Sequence, residues 1–304
     1  MKQELYDVVI VGGGPGGYTA ALYCARSSYS VLVLEQLAPG GQMATTGQID
    51  NYPGFDEGIE GWELAERMRK GADRFGVETS FSQVTKVDLN ADPKVIETSD
   101  GTVRARAVIV ATGASPRLLG LPEENSLRGR GVAYCATCDG MMYRGKTVIV
   151  VGGGNSAAAD ALFLAKICKK VYLVHRRGEL RASKVYLDPL MESGVEFLWD
   201  SRISEILHEK RVTGAVVEHI PTGEKKTVDC DGVFVAVGRV PDTEIFKGQL
   251  ELDRQGYLVA DESTRTNIPG VYAVGDVRTK ALRQIVTAAA DGAVASHYIE
   301  EYLG

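Results

Sequence analysis

The sequence predicts an α/β fold made of two copies of one nucleotide-binding pattern, the second inserted into the first. Three observations carry this. A wholly apolar strand runs straight into a glycine-rich turn and a helix near residue 12. The same succession returns near residue 152. Between the two turns stands a close pair of thiols, Cys135 and Cys138.

The first unit opens with Tyr6-Asp-Val-Val-Ile-Val-Gly12, a run suited to a parallel strand buried on both faces. Gly12-Gly-Gly14-Pro-Gly-Gly17 follows, then helix formers from Tyr18 to Arg26, then the strand Val31-Leu-Val-Leu-Glu35. A GxGxxG turn alone is a weak signal. Here it has a strand before it, a helix after it and an acid at the end of the next strand. Gly12 permits the tight turn, Gly14 lets the backbone approach a pyrophosphate, and Gly17 allows close helix–strand packing. The helix N-terminus offers unpaired N–H groups to phosphate, and Glu35 can accept hydrogen bonds from a ribose.

The second unit repeats the order. Thr147-Val-Ile-Val-Val-Gly152 leads into Gly152-Gly-Gly154-Asn155-Ser156-Ala157, a helix to about Ile167, and the strand Val171-Tyr-Leu-Val174. Where the first unit has Glu35, this one has His175, Arg176 and Arg177, with Arg181 four residues on. Arginines hold a 2′-phosphate by forked, charge-assisted bonds that an acid would refuse. The second site is therefore expected to prefer NADPH to NADH.

Each unit has a later strand ending in glycine, Ala107 to Gly113 and Gly232 to Gly238. The tail carries a strand ending at Gly275-Asp276 and an alanine-rich helix from Gln284 to Tyr302. A carboxylate at Asp276 suits a polyol such as ribityl, and the positive end of the helix near Gln284 suits an anionic ring. These features mark the first site for FAD. The fold class is thus two Rossmann-like, three-layer domains. Proline-bearing turns at Ser115-Pro116 and Val240-Pro241 divide the chain into an FAD-binding domain over 1–115 and 244–304 and an inserted NADPH-binding domain over 116–243.

Bulk composition narrows the function. Hydrophobic residues make up 44% and charged residues 24%, as in ordinary globular proteins. Net charge is −6, which gives no general attraction to nucleic acid or anionic membrane. No run of about 18 apolar residues suggests a membrane span. Met1 to Asp7 has no apolar signal region, so the cytoplasm is the expected compartment. Of five cysteines only 135 and 138 are clustered. A structural zinc site needs about four ligands, and neither a second cysteine pair nor grouped histidines exist, so no metal is expected. Cys24, Cys168 and Cys230 read as small buried hydrophobes. The 135/138 pair can close and reopen a disulfide. Asp139, next to Cys138, suits a proton donor and acceptor for that step.

With these residues in view, the whole chain resembles the low-molecular-weight, bacterial-type thioredoxin reductases. The resemblance rests on Gly12–Gly17, Gly40-Gly41-Gln42, Asn51-Tyr-Pro-Gly54, Ala111-Thr-Gly113, Cys135-Ala-Thr-Cys-Asp139, Gly152–Ala157, His175-Arg-Arg177 with Arg181, and Gly275-Asp276 through Arg283-Gln284. It implies a homodimer with one FAD per subunit, a redox disulfide in the NADPH domain, and thioredoxin as oxidant. It assigns Gly41, Gln42, Asn51, Gly113, Arg283 and Gln284 to FAD. It also implies that Cys138 takes electrons from reduced FAD and Cys135 attacks the thioredoxin disulfide, with one domain rotating against the other. Two departures stand out. Ala158-Ala159-Asp160 leaves one acid where many members have two, and Met141-Met142 replaces aromatics. The alternatives are the same fold serving another small redox protein or another electron donor, a dithiol oxidase, and a redox sensor without turnover.

Overall fold

The computed structural model describes residues 4–304. The chain divides into two compact units, Met1–Ser115 with Val240–Gly304, and Pro116–Arg239. The second is an uninterrupted stretch set into the first.

In the first unit, the described residues form a seven-stranded sheet. Leu5–Val11 lies at its centre, parallel to Val31–Glu35 on one side and to Gly101–Val110 on the other. Glu78–Phe81 extends the parallel part beyond Val31–Glu35, and Val271–Ala273 runs parallel to the last residues of Gly101–Val110. An antiparallel meander, Val84–Asp88, Lys94–Thr98 and Gly101–Val110, completes it. Both faces are covered, which explains the unbroken apolar runs. Val8, Ile10, Val31, Val33 and Ile109 pack with Tyr18, Ala21, Ala295 and Ile299 of helices α1 (Pro15–Arg26) and α6 (Ile285–Leu303). Val9, Val11, Leu32, Leu34 and Val110 pack with Ile96, Val103, Phe246 and Leu258 on the other side. Helix α2 (Gly61–Asp73) adds a smaller cluster through Leu64 and Ala65.

α1 starts at Pro15 rather than Tyr18, because proline fits a first helical position whose N–H has no partner anyway. Two contacts fix the turn before it. Gly12 has φ +108, and a Cβ there would sit 2.4 Å from the Ala111 carbonyl oxygen. A Cβ on Gly17 would stand 2.1 Å from the Gly12 carbonyl oxygen.

The second unit has a parallel five-stranded sheet in the order Val132–Ala133, Gly232–Ala236, Thr147–Gly152, Lys170–Val174, Glu196–Leu198. One face packs on α3 (Ala136–Asp139), α4 (Asn155–Ala165) and α5 (Lys184–Glu192) through Ala136, Ala157, Ala161, Leu164 and Leu190. The other packs on an antiparallel sheet of Ser201–His208, Val212–His219 and Lys225–Asp229. α4 stops at Ala165 instead of Ile167. The N–H groups of both Ile167 and Cys168 turn back onto the Leu164 carbonyl. Cys24 and Cys230 are buried as expected, whereas Cys168, on that closing turn, is only half-buried.

Candidate active site

Parallel strands that end at one edge bring their following loops together there. In the first unit this edge gathers Gly12–Gly14, Glu35, Gly113 and the Gly275-Asp276 turn. Gly14 caps α1 with no side chain on the helix N–H groups and no acid in the first turn. A Cβ there would meet nothing within 4 Å, and the same holds at Gly113. Gly40 N donates to the Gly13 carbonyl at 2.7 Å, which sets the Gly40-Gly41 loop over the turn. Glu35 is oriented by the Gly13 N–H at 2.8 Å and by the Gln36 and Leu37 N–H groups at 2.8 and 3.2 Å. Gln42 supports its own loop, its carbonyl accepting from the hydroxyls of Thr45 and Thr46.

The tail reaches the same region. Asn51 Nδ2 donates to Gln284 Oε1 at 3.1 Å, and Gln284 forms a capping box with Thr287 at the start of α6. Asp276 stands in a short 3-10 turn, and Arg283 lies over the Tyr257 ring and donates to the Asp276 carbonyl at 3.3 Å. Beneath the turn is a buried ionic cluster. Asp291 accepts from Gly275 N at 2.8 Å, Arg278 at 2.8 Å and Lys280 at 2.7 Å. Burial alone would raise the Asp291 pKa, but the two cations hold it below the ordinary carboxylate value. The sequence reading passed over this cluster; its one signal is an acid inside an alanine-rich helix.

In the second unit Gly154 caps α4, again without a capping side chain, an acid in the first turn or any atom near its missing Cβ. Ala157 fills the place where a Cβ on Gly152 would fall 2.7 Å from its own. Ser156 is exposed at the start of α4. Asn155 Oδ1 accepts from Ser183 N at 2.8 Å, and Arg181 N donates to the Gly153 carbonyl at 2.7 Å, so the arginine loop is tied to the turn. Arg176, Arg177 and Arg181 are exposed. His175 differs from them. It is 5% exposed, and its ring occupies the space a Cβ on Gly153 would need. Desolvation lowers its pKa, with Arg181 pushing the same way, so the imidazole is neutral packing under the turn.

Cys135 and Cys138 are joined in a disulfide across the first turn of α3, their Cα atoms 5.3 Å apart. Both are half-buried. Cys135 Sγ lies 3.3 Å from Thr137 Oγ1, a hydroxyl that can donate to a thiolate. Asp139 is anchored by its own N–H to the Cys135 carbonyl at 3.1 Å, and burial pushes its pKa up to about 6, against the pull of Arg128. A second carboxyl was not foreseen. Asp160 of α4 faces the Ala136 N–H, and burial raises it to about 7, with Arg239 opposing. A disulfide flanked by carboxyls that exchange protons near neutrality is equipped for reversible reduction.

Known proteins match this chain from end to end. The sequence matches the family described as pyridine nucleotide-disulphide oxidoreductase over residues 6–292. Thioredoxin reductase from Streptomyces clavuligerus is 47% identical, with 99% of this chain and 94% of that protein covered. Its counterpart from Listeria monocytogenes is 43% identical, covering 99% and 95%. Among solved structures, thioredoxin reductase from Streptococcus pyogenes aligns with a TM-score of 0.92 at 45% identity, over 99% of this chain and 98% of that one. The enzyme from Giardia duodenalis gives 0.93 at 36%, with 99% of each chain covered. This chain belongs to the pyridine nucleotide-disulphide oxidoreductases.

Proposed function

We propose that this chain reduces the disulfide of a thioredoxin with electrons from NADPH, received through FAD and the Cys135–Cys138 pair. The observation that carries this is the disulfide itself, with Asp139 beside it in the unit that also holds the arginine-flanked turn. Both glycine turns fit a dinucleotide: the caps of α1 and α4 leave their helix N–H groups uncovered and have open space at Gly14 and Gly154. The first site, with Glu35, Gly41, Gln42, Asn51, Gly113, Asp276, Arg283 and Gln284, is read as the FAD site. The second, with Gly152, Gly154, Asn155, Ser156 and Ala157, is read as the NADPH site, where exposed Arg176, Arg177 and Arg181 hold the 2′-phosphate. On this reading the chain carries FAD in the discontinuous unit and NADPH in the inserted one. Bound FAD supplies two-electron exchange between a nicotinamide and a disulfide.

The protein groups then do the following. Opening the Cys135–Cys138 bond by two electrons leaves two sulfurs, each able to take a proton. Cys135 attacks one sulfur of the thioredoxin disulfide, releasing the other as a thiolate and forming a mixed disulfide. Cys138 resolves it, so the internal disulfide reforms and thioredoxin leaves as the dithiol. Thr137 steadies the Cys135 thiolate, and Asp139 delivers a proton to the departing sulfur. Net, NADPH and one proton reduce one disulfide to two thiols. Membership of this family group also favours a homodimer in the cytoplasm.

The test is NADPH oxidation by the purified flavoprotein with oxidised thioredoxin. Turnover should depend on thioredoxin, and Cys135→Ser should abolish it while NADPH-driven reduction of a neutral quinone continues. A Cys135→Ser enzyme that still reduces thioredoxin at the wild-type rate would remove the pair from the electron path.

A further inference from the structure

The turn that carries Gly275 and Asp276 is held from below by one buried carboxylate. Asp291 Oδ2 accepts from Gly275 N at 2.8 Å and from Arg278 Nε at 3.0 Å, and its Oδ1 accepts from another arm of the same guanidinium at 2.8 Å. The Arg278 fork alone neutralises Asp291 and occupies both of its oxygens. Lys280 is then a third donor on Oδ2, at 2.7 Å.

The Lys280 side chain is 5% exposed, so its ammonium has given up nearly all of its water. Its second bond goes to the Thr287 carbonyl at 3.2 Å, in the first turn of α6. A cation there stands at the positive end of the helix, where the dipole opposes it. Glu262 also approaches the cluster, 3.5 Å from Arg278, but its side chain is 93% exposed and water screens it. Two buried cations thus face one buried carboxylate. The second cation costs stability in this place, and holding the turn does not require it.

The cluster is bracketed by residues read as FAD contacts. Gly275 leads into Asp276. Arg283 donates to the Arg278 carbonyl at 3.1 Å and to the Asp276 carbonyl at 3.3 Å, and Gln284 caps the helix whose Thr287 carbonyl takes Lys280. We propose that Lys280 is a redox-tuning residue: its buried charge, added to the positive end of α6, shifts the flavin of the proposed FAD site toward its reduced form. The inference rests on the proposed function and adds what sets the driving force of its first step. In that step NADPH gives up a hydride, two electrons with one proton, and leaves as NADP+, while the accepting ring gains one negative charge. A fixed cation favours the negative side of that balance, and burial leaves little water to screen it.

The experiment uses the full-length, FAD-loaded enzyme, its flavin spectrum followed while a reference dye of known potential is reduced alongside. In Lys280→Gln, which leaves Asp291 its bonds from Gly275 and Arg278, the equilibrium constant for flavin reduction should fall about tenfold, or about 30 mV for a two-electron couple. Lys280→Arg should keep the wild-type value. Asp291→Asn removes a negative charge instead, so the constant should rise. A site that was merely loosened would move Lys280→Gln and Asp291→Asn the same way, or would lower the thermal midpoint and FAD affinity without moving the equilibrium. Either result, or a Lys280→Arg enzyme that behaves like Lys280→Gln, would overturn the tuning role and leave the reductase reading intact. If Asp291→Asn does not fold, the two Lys280 variants decide alone. A wild-type protein that binds no FAD would instead overturn that reading, and this inference with it.

Discussion

Burial leaves two acids beside the disulfide with pKa values of about 6 at Asp139 and about 7 at Asp160. Asp139 can therefore give and regain a proton within the neutral range, and Asp139→Asn cannot. We expect that variant to lose about 10²- to 10⁴-fold in thioredoxin-dependent turnover while quinone reduction persists, as steady-state kinetics would show. Asp160 has a thermodynamic signature as well. Its folded value lies above the unbound 3.8, so the stability it contributes is complete below that value and is lost as pH rises toward 7. The thermal midpoint should fall between about pH 4 and 7, and Asp160→Asn should flatten that slope. An equal slope in both proteins would show that Asp160 does not titrate there. Asp139 was legible in the sequence because it adjoins Cys138. The burial of Asp160 was not, since it depends on α3 packing onto α4. Nor could the sequence tell that His175 turns under Gly153 while its arginine neighbours face solvent.

Helices α1 and α6 approach closely because their facing residues are small. A Cβ on Gly292 would stand 2.4 Å from the Gly16 carbonyl oxygen and 2.8 Å from Ala20 N, both backbone atoms that cannot step aside. Gly292→Ala should thus lower stability by about 1–3 kcal/mol, measured by denaturant unfolding, despite alanine's better helix propensity. A stabilised variant would mean the helices have room to separate. Elements with a strong period were legible: the buried strands, the glycine turns and α6. The antiparallel pieces were less so, for a local reason. Register shifts between Ile203 and Glu205 and between Val84 and Lys86 break the alternation that marks a half-buried strand.

The duplicated pattern of the whole molecule was the most legible feature, since two strand–turn–helix–strand runs can be matched residue by residue. Each unit has its own core, with separate clusters on both faces of each main sheet. Residues 116–239 expressed alone should therefore fold cooperatively and bind NADPH, with circular dichroism melting and calorimetry as the checks. A fragment that stays unfolded would make the second core dependent on the first. The insertion also dictates an order of events during synthesis. The first sheet needs Val271–Ala273, and its covering layer needs α6, the last segments to leave the ribosome. The inserted unit is complete well before then. Once residue 240 has cleared the ribosome, the nascent chain already carries a finished cysteine-bearing domain, while the partner domain still waits for its closing strand.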